Sequence, residues 1–463
     1  MKGHFNSPLE NTQNIEVIIG DLKNNPKCPH GPTLLFSRRT KNETRQFFAC
    51  AACRDRKMCN FFLWADEKEN ILKKKAALWE NECIKYTKGV NHRKLFLALN
   101  KIKGLHPSKR IFCDTCCMLI SDESGHTSHS LVKNVSDYQL EHPSEILKPL
   151  DNPKKEAQYL FSKQSTKSIV QFFKDLKYKN VICIGTPRIH EYISSECNDI
   201  TSILLDIDSR FHTFFGPLQF CWFNSFNNYF FFKEGQQVFN DFLKSTNGEN
   251  TVLITDPPFG GRIEPLVRTF KTISKNYANI NGNHNVLPVF WIFPYFMEAQ
   301  LLNYMPELHM LDYKVEYDNH LLFQNGPKGR KQGSPVRIFT TVDAKLIKLP
   351  SNLYKFCKFC CKWVSKENKH CKICKACTSK NGETYVHCLE CQRCVKPNWK
   401  HCNACKRCTQ PEHICMNISF NGSCFQCKEI GHRRNDCPQL MSQNHKKRKR
   451  NNAASGTKKK KIA

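Results

Sequence analysis

Thr251-Val252-Leu253-Ile254-Thr255-Asp256-Pro257-Pro258-Phe259 is the stretch on which the reading of this chain turns. Its first five residues are apolar or β-branched and make a short strand of the kind that is buried on both faces. An acid, two prolines and an aromatic follow at once, and the prolines lock two consecutive φ angles. The strand therefore ends in a rigid turn that presents a carboxylate, a carbonyl and a ring.

Working outward, residues 181–185, 202–206, 220–224 and 286–293 are further apolar runs separated by helix-like segments. That alternation reads as an α/β fold with a mainly parallel sheet. Residues 315–323 and 336–342 add two strands, joined by a polar loop that carries Gly326, Pro327, Gly329 and Gly333. Seven strands ending in a long hairpin are thus expected between residues 151 and 350.

The composition names the partner. Lysine and arginine number 71 against 41 acids, a net charge of +30, and only nine of the positive residues sit in the terminal runs 446–450 and 458–461. A field so spread over the body suits a polyanion, and nucleic acid is favoured over membrane because no apolar stretch approaches the about 18 residues of a spanning helix. There is no basic start followed by an apolar core and a cleavage site, so the 27 cysteines are read as those of a reducing compartment. Sixteen fall between Cys357 and Cys437 and eight precede residue 118, so zinc modules are expected to flank a separate fold.

The first module pairs Cys28 and His30 with Cys50 and Cys59, three thiolates and an imidazole, with Cys53 as the alternative to Cys50. The whole pattern, with the aromatic run from Phe61 to Trp64 after the last ligand and with Arg45, Gln46 and Phe47 near the Gly-Arg-Phe signature but without its glycine, resembles the GRF-type zinc finger, which implies binding of single-stranded nucleic acid through stacking rings and Arg38, Arg39 and Arg45. A zinc-stapled structural cap is the alternative. Residues 70–105 read as helix. Cys113, Cys116, His126 and His129 form a second zinc constellation, with Cys117 as a substitute ligand.

The Asp256-Pro257-Pro258-Phe259 turn resembles the Asp/Asn-Pro-Pro-aromatic signature of enzymes that methylate planar nitrogen, and its place after the fourth strand agrees with class I, Rossmann-like methyltransferases. The lone pair of such a nitrogen is delocalised into its ring, so acceptors must hold the amine as it attacks. The resemblance implies that the Asp256 carboxylate and the Pro257 carbonyl accept hydrogen bonds from the amine while Phe259 stacks on the base, and that Pro257 and Pro258 keep the carbonyl aimed. It further implies S-adenosyl-L-methionine as cofactor. Gly185 and Arg188 stand in the loop after the first strand, with one glycine where the family commonly has two. Asp206, preferred to Asp208, is expected on the ribose hydroxyls, because a carboxylate can accept from both. Asn224 is expected at the adenine, and Gln158, Tyr159, Leu160 and Phe161 over the methionine end.

Beyond residue 350 a repeat of His, Cys, Cys and Cys interleaves into zinc sets: Cys357, Cys360, His370 and Cys377; Cys371, Cys374, His387 and Cys394; Cys388, Cys391, His401 and Cys408; and Cys402, Cys405, His413 and Cys415. The array resembles the cysteine-rich domain of DHHC palmitoyltransferases without their catalytic tetrad or membrane helices, so a scaffold is expected rather than acyl transfer. Cys424, Cys427, His432 and Cys437 have the Cys-x2-Cys-x4-His-x4-Cys spacing of the zinc knuckle, in which Phe425, Arg433 and Arg434 take base-stacking and phosphate positions.

The order of modules resembles, over nearly the whole chain, the zinc finger CCHC domain-containing protein 4 family. The resemblance implies N6-adenosine methylation of large-subunit ribosomal RNA, with several zinc ions, ribosome-assembly or RNA-processing proteins as further partners, and residence in the nucleus and nucleolus or also the cytoplasm. The expected boundaries are an N-terminal extension 1–26, a GRF-type finger 27–66, a helical segment with the two-cysteine, two-histidine site 67–150, a methyltransferase domain 151–350, the cysteine-rich array 351–416, the knuckle 422–439 and a basic tail 440–463. Two other readings remain: a protein lysine methyltransferase of a translation component, and a catalytically silent RNA-binding scaffold.

Overall fold

The computed structural model describes residues 15–39, 43–53, 58–149, 158–245, 249–282, 286–320, 333–413 and 415. The chain separates into a larger unit, Glu16–Arg38 with Glu43–Tyr385, and a smaller one that takes in the chain from Val386. The expected knuckle and basic tail lie outside the described residues. Among the described residues no helix is long and apolar enough to cross a membrane.

The larger unit is built on an eight-stranded sheet: β1 Asn180–Ile184, β2 Thr201–Asp206, β3 Phe220–Asn224, β4 Tyr229–Phe230, β5 Thr251–Thr255, β6 Val289–Pro294, β7 His309–Met310 and β8 Val336–Thr340. Their order across the sheet is β4-β3-β2-β1-β5-β6-β8-β7. The β3-β2-β1-β5-β6 block is parallel, while β4, β8 and β7 pair antiparallel to their neighbours. Every residue of β1, β3, β5, β6 and β8 is buried, which is why these strands read as continuous apolar runs.

Alternation along a strand divides two cores. Val181 and Cys183 of β1 join one, with helices α1 Lys163–Asp175 and α2 Pro187–Glu196; Ile182 and Ile184 join the other, with α3 Lys233–Lys244 and α4 Ile263–Asn281. Local sequence fixes the helix ends. The Ser162 side chain caps α1 by accepting from the Ser165 amide, Pro187 starts α2 where no amide hydrogen is needed, and Gly282, at φ +62°, closes α4.

The sheet departs from expectation at its edges. Strand β6 begins only after Pro288, leaving Val286 exposed. Residues 315–320 do not continue a strand: the edge position belongs to His309–Met310, after which the chain keeps single hydrogen bonds to β8, from the Leu311 amide to the Ile338 carbonyl and from the Val315 amide to the Val336 carbonyl. The Tyr229–Phe230 strand was not anticipated. The helical segment is two helices, Lys68–Thr87 and His92–Lys103, the second capped by the Asn91 side chain.

The zinc turns share one backbone device. The residue after the second cysteine of the Cys-x2-Cys turns, Cys117, Cys361, Lys375, Gln392 and Lys406, has a φ between +48° and +53°. Such a turn aims amides at the first sulfur, as from Cys374 to Cys371 and from Cys391 to Cys388, both at 3.4 Å.

Candidate active site

The order of strands reverses between β1 and β5: from β1 the chain proceeds outward to β3, then crosses back to place β5 on the other side. In open α/β sheets a crevice opens beyond the carboxyl ends of the strands at such a point. The residues that follow the two strands, Gly185 and Asp256, are accordingly neighbours. The Asp256 amide donates to the Ile184 carbonyl at 3.2 Å, and Gly185 sits at φ +64°, where a Cβ would lie 3.4 Å from the Asp256 carbonyl oxygen. A side chain there would be strained and would crowd the turn.

A cavity of about 590 Å³ opens at this place. Gly185, Asp206, Asn224 and the whole turn Asp256, Pro257, Pro258 and Phe259 line it, together with Gln158, Tyr159 and Leu160. Phe161 and Arg188 do not. Phe161 is buried and packs its ring 5.3 Å from that of Tyr317. The Arg188 guanidinium donates to the Phe161 carbonyl at 2.8 Å, to Ser144 at 3.2 Å and to Glu145 at 3.0 Å, and it pairs with Asp318. Its reach is taken up in bracing segments beside the cavity, so a direct cofactor contact is not where the structure places it.

The two acids after β2 differ in their commitments. Asp208 accepts from Arg210 and from the Gln158 side chain, the latter at 2.8 Å. Asp206 accepts the Asp208 amide at 2.9 Å. Burial, with the Asp208 carboxylate beside it, pushes the Asp206 carboxyl up to about 7. Asn224 is completely buried, and both ends of its amide are engaged: Nδ2 donates to the His30 carbonyl at 2.8 Å, and Oδ1 accepts from the Phe226 amide at 3.0 Å. Asn224 thus lines the cavity and at the same time ties its wall to the first finger.

That tie brings the finger to the cavity. Asn227 also donates to the His30 and Pro32 carbonyls, and Gly31, at φ +95°, lies so close to Tyr229 that a Cβ would come within 2.4 Å of its ring. His30, Cys53 and Met58 share the cavity wall with Asp206 and Asp256. No periodicity signals this, because the partners are 194 residues apart.

Tyr317 is the residue that sequence reading passed over. It is fully buried, and its hydroxyl lies 3.1 and 3.0 Å from the two Asp256 carboxylate oxygens. Burial holds the Asp256 carboxyl well above the usual carboxylate range, and the hydrogen bond from Tyr317 opposes that rise. Phe259 packs edge-on against Phe293 at 5.6 Å and tilts toward Tyr159 at 5.8 Å.

The ligating atoms of Cys28, His30, Cys50 and Cys59 lie within 4.8 Å of one another, as do those of Cys113, Cys116, His126 and His129 and of Cys357, Cys360, His370 and Cys377. Thiolates and imidazoles in fours are the donor set of tetrahedral zinc. Cys53 lies 3.5 Å from His30 Nε2 but outside the first set, and Cys117 turns its thiol to the Asp114 carbonyl at 3.4 Å. Cys371 and Cys374 belong to the larger unit. In the smaller unit Cys388, Cys391, His401 and Cys408 form a further set; His387 and Cys394 are 3.8 Å apart, and His413 Nε2 is 3.3 Å from both Cys405 and Cys415.

Rings gather on one face of the first finger, on the neighbouring strands Leu34–Arg39, Thr44–Ala49 and Phe62–Trp64. Phe47 stacks on Phe36 at 5.3 Å and on Phe62 at 5.1 Å, and Arg45 lies 4.0 Å over Trp64. The same arginine bonds Asp66 and Glu67.

Comparison with known proteins agrees with this architecture. The family model described as probable N6-adenine methyltransferase matches residues 152–329, that of the GRF zinc finger residues 26–68, and that of the zinc knuckle residues 422–439. The rRNA N(6)-adenosine-methyltransferase ZCCHC4 of Homo sapiens is 44% identical over 431 residues, covering 90% of this chain and 83% of its own length. The Bos taurus protein of that name is 46% identical over 92% of this chain and 86% of its own length, and the Xenopus laevis one 46% identical over 96% and 92%.

Proposed function

The chain belongs to the ZCCHC4 family of rRNA N6-adenosine methyltransferases, and from that premise we propose that it methylates an adenine of large-subunit ribosomal RNA at the turn 256–259. The observation that carries the reading is that the Asp256 turn, the Gly185 loop and the Asp206 carboxylate line one cavity at the point where the strand order reverses. Seven of the eight strands, all but Tyr229–Phe230, correspond in this reading to the sheet of class I methyltransferases.

The cavity fits S-adenosylmethionine: the Asp206 carboxylate in its wall suits ribose hydroxyls, and its apolar walls suit an adenine. The cofactor supplies a methyl group activated on a sulfonium. The chain supplies position. Asp256 and the Pro257 carbonyl accept hydrogen bonds from the exocyclic amine, which favours a pyramidal nitrogen with its lone pair free to attack. Phe259 stacks on the flipped base, and Pro257 with Pro258 keeps these acceptors from relaxing. Holding the reacting groups in line suffices for much of the acceleration, since well-oriented partners gain about 7–11 kcal/mol from prepaid entropy.

The ring-covered face of the first finger and the knuckle at 422–439 serve in this reading to hold the RNA strand, through stacking and phosphate contacts. The basic runs 446–450 and 458–461 support residence in the nucleus and nucleolus. The test is methylation in vitro with labelled cofactor, offering purified large-subunit RNA, small-subunit RNA and ribosomal proteins in parallel. N6-methyladenosine in the large-subunit RNA alone is the expected product, and label confined to protein would overturn the proposal.

A further inference from the structure

We propose that Tyr317 is a positioning residue for methyl transfer, its hydroxyl holding the Asp256 carboxylate in the orientation that receives the target amine; the inference rests on the reading of Asp256 given above. A phenol has one hydrogen to donate. At 3.1 and 3.0 Å it is shared between the two carboxylate oxygens, which fixes the rotation of the group about its last bond. A carboxylate offers about four acceptor positions, so one shared hydrogen leaves room for an incoming amine.

The phenol is itself held on several sides. Its ring lies 5.3 Å from Phe161 and 5.6 Å from Tyr159. On either side of it the backbone is zipped to the cavity wall: the Ser162 amide donates to the Glu316 carbonyl at 2.8 Å, and the Asp318 amide to the Leu160 carbonyl at 2.9 Å. Asn319 then accepts the Leu160 amide at 2.8 Å and donates to the Gln158 carbonyl at 2.6 Å. The segment that lines the cavity and the group that aims the carboxylate are therefore one structure, and displacement of either moves both.

Among the described residues, the titratable groups facing Asp256 are Tyr317 and Tyr159, with His320 behind Tyr159 at 4.5 Å. Both phenols are raised by burial and by the Asp256 carboxylate, so each remains a neutral donor. Burial disfavours the ionised carboxylate, and the Tyr317 hydroxyl is what works against it. A carboxylic acid would offer the amine a donor where an acceptor is needed.

A buried tyrosine always needs a hydrogen-bond partner, so the contact must be separated from simple satisfaction of its hydroxyl. The test is the full-length protein carrying Tyr317→Phe, assayed on ribosomal RNA across pH. The expected result is a kcat lowered about ten- to hundred-fold near neutral pH, the size for losing a hydrogen bond to a charged group. KM for RNA and cofactor affinity should stay within about two-fold of wild type. The acid limb of the rate profile should move to higher pH, so that activity is partly regained on the alkaline side. Combined with Asp256→Asn, the tyrosine change should cost nothing more.

A loss by the same factor at every pH, repeated in the Asp256→Asn background, would overturn the proposal and leave Tyr317 as packing. An unchanged kcat would do the same. Wild-type activity in Asp256→Ala alone, which removes the acceptor altogether, would overturn the underlying assignment of Asp256 and the proposal with it. If Tyr317→Phe melts early, 3,5-difluorotyrosine at the same position keeps the shape and strengthens the donor. Its acid limb should move to lower pH, and an unmoved limb would refute the idea.

Discussion

Asn224 and His30 stand 194 residues apart in sequence and 2.8 Å apart in space, the amide of one donating to the carbonyl of the other. The third strand of the sheet is thus bonded to the backbone of a residue in the first zinc set, and the cavity lies beside the bond. Cofactor binding is therefore expected to depend on the integrity of that finger. Cys28→Ser, or removal of zinc by a strong chelator, is expected to weaken S-adenosylmethionine binding at least about ten-fold, the range seen when supports of a site are lost. Calorimetric titration checks this, and affinity unchanged in Cys28→Ser would break the link. Replacing Asn224 by Ala should cost about 1–3 kcal/mol of stability, because the Phe226 amide loses its acceptor and the His30 carbonyl keeps only the donor from Asn227.

Asp256→Ala should abolish methyl transfer while RNA affinity stays close to wild type. The side chain removed sits at the cavity, away from the stacked rings of the finger face. Filter binding and methyl incorporation measured on one preparation separate the two effects. Activity at even a tenth of wild type would show that Asp256 does not hold the amine.

Asp206 makes cofactor affinity depend on pH. Burial has pushed its carboxyl up to about 7. Ribose hydroxyls donate to the ionised form, so binding is favoured above that pH and weakens as pH falls through it. The affinity should decline between about pH 8 and about pH 6, and the decline should vanish in Asp206→Asn. Stability runs the other way. The cost of keeping this carboxylate ionised in the fold is absent below its unfolded value and grows as pH rises to about 7, so Asp206→Asn should raise the melting temperature at alkaline pH.

Cys361 follows the second ligand of its turn at φ +49° and lies outside the ligand set. Glycine adopts that backbone freely, so Cys361→Gly is expected to stabilise this zinc turn by about 1 kcal/mol and to slow release of metal to a chelator. Faster release would mean that the side chain supports the turn in a way the backbone argument misses.

Much of this was legible before any coordinates. The parallel strands β1, β2, β3 and β5 are buried on both faces and have few polar interruptions, so they stand out in the sequence. Ligand spacing marked the zinc sets because a tetrahedral ion accepts few chain separations. The two-residue strands β4 and β7 are too short to carry any period, and their place comes from pairing with β3 and β8. Val315, Glu316 and Tyr317 alternate apolar and polar like a strand, but here the chain leaves regular pairing and places Tyr317 on Asp256. Arg188 stands at a loop position where cofactor contacts occur, yet its guanidinium is engaged by Ser144, Phe161 and Glu145. Which partner a polar side chain takes depends on chain segments far away, and no local pattern records it.

Gly185 and Asp256 close two adjacent strands whose backbones are hydrogen-bonded to each other. On the function proposed above, the loop beside the methyl donor and the turn that holds its acceptor are in this way mounted on a common bench. A movement of the sheet that keeps these strands paired carries both residues together.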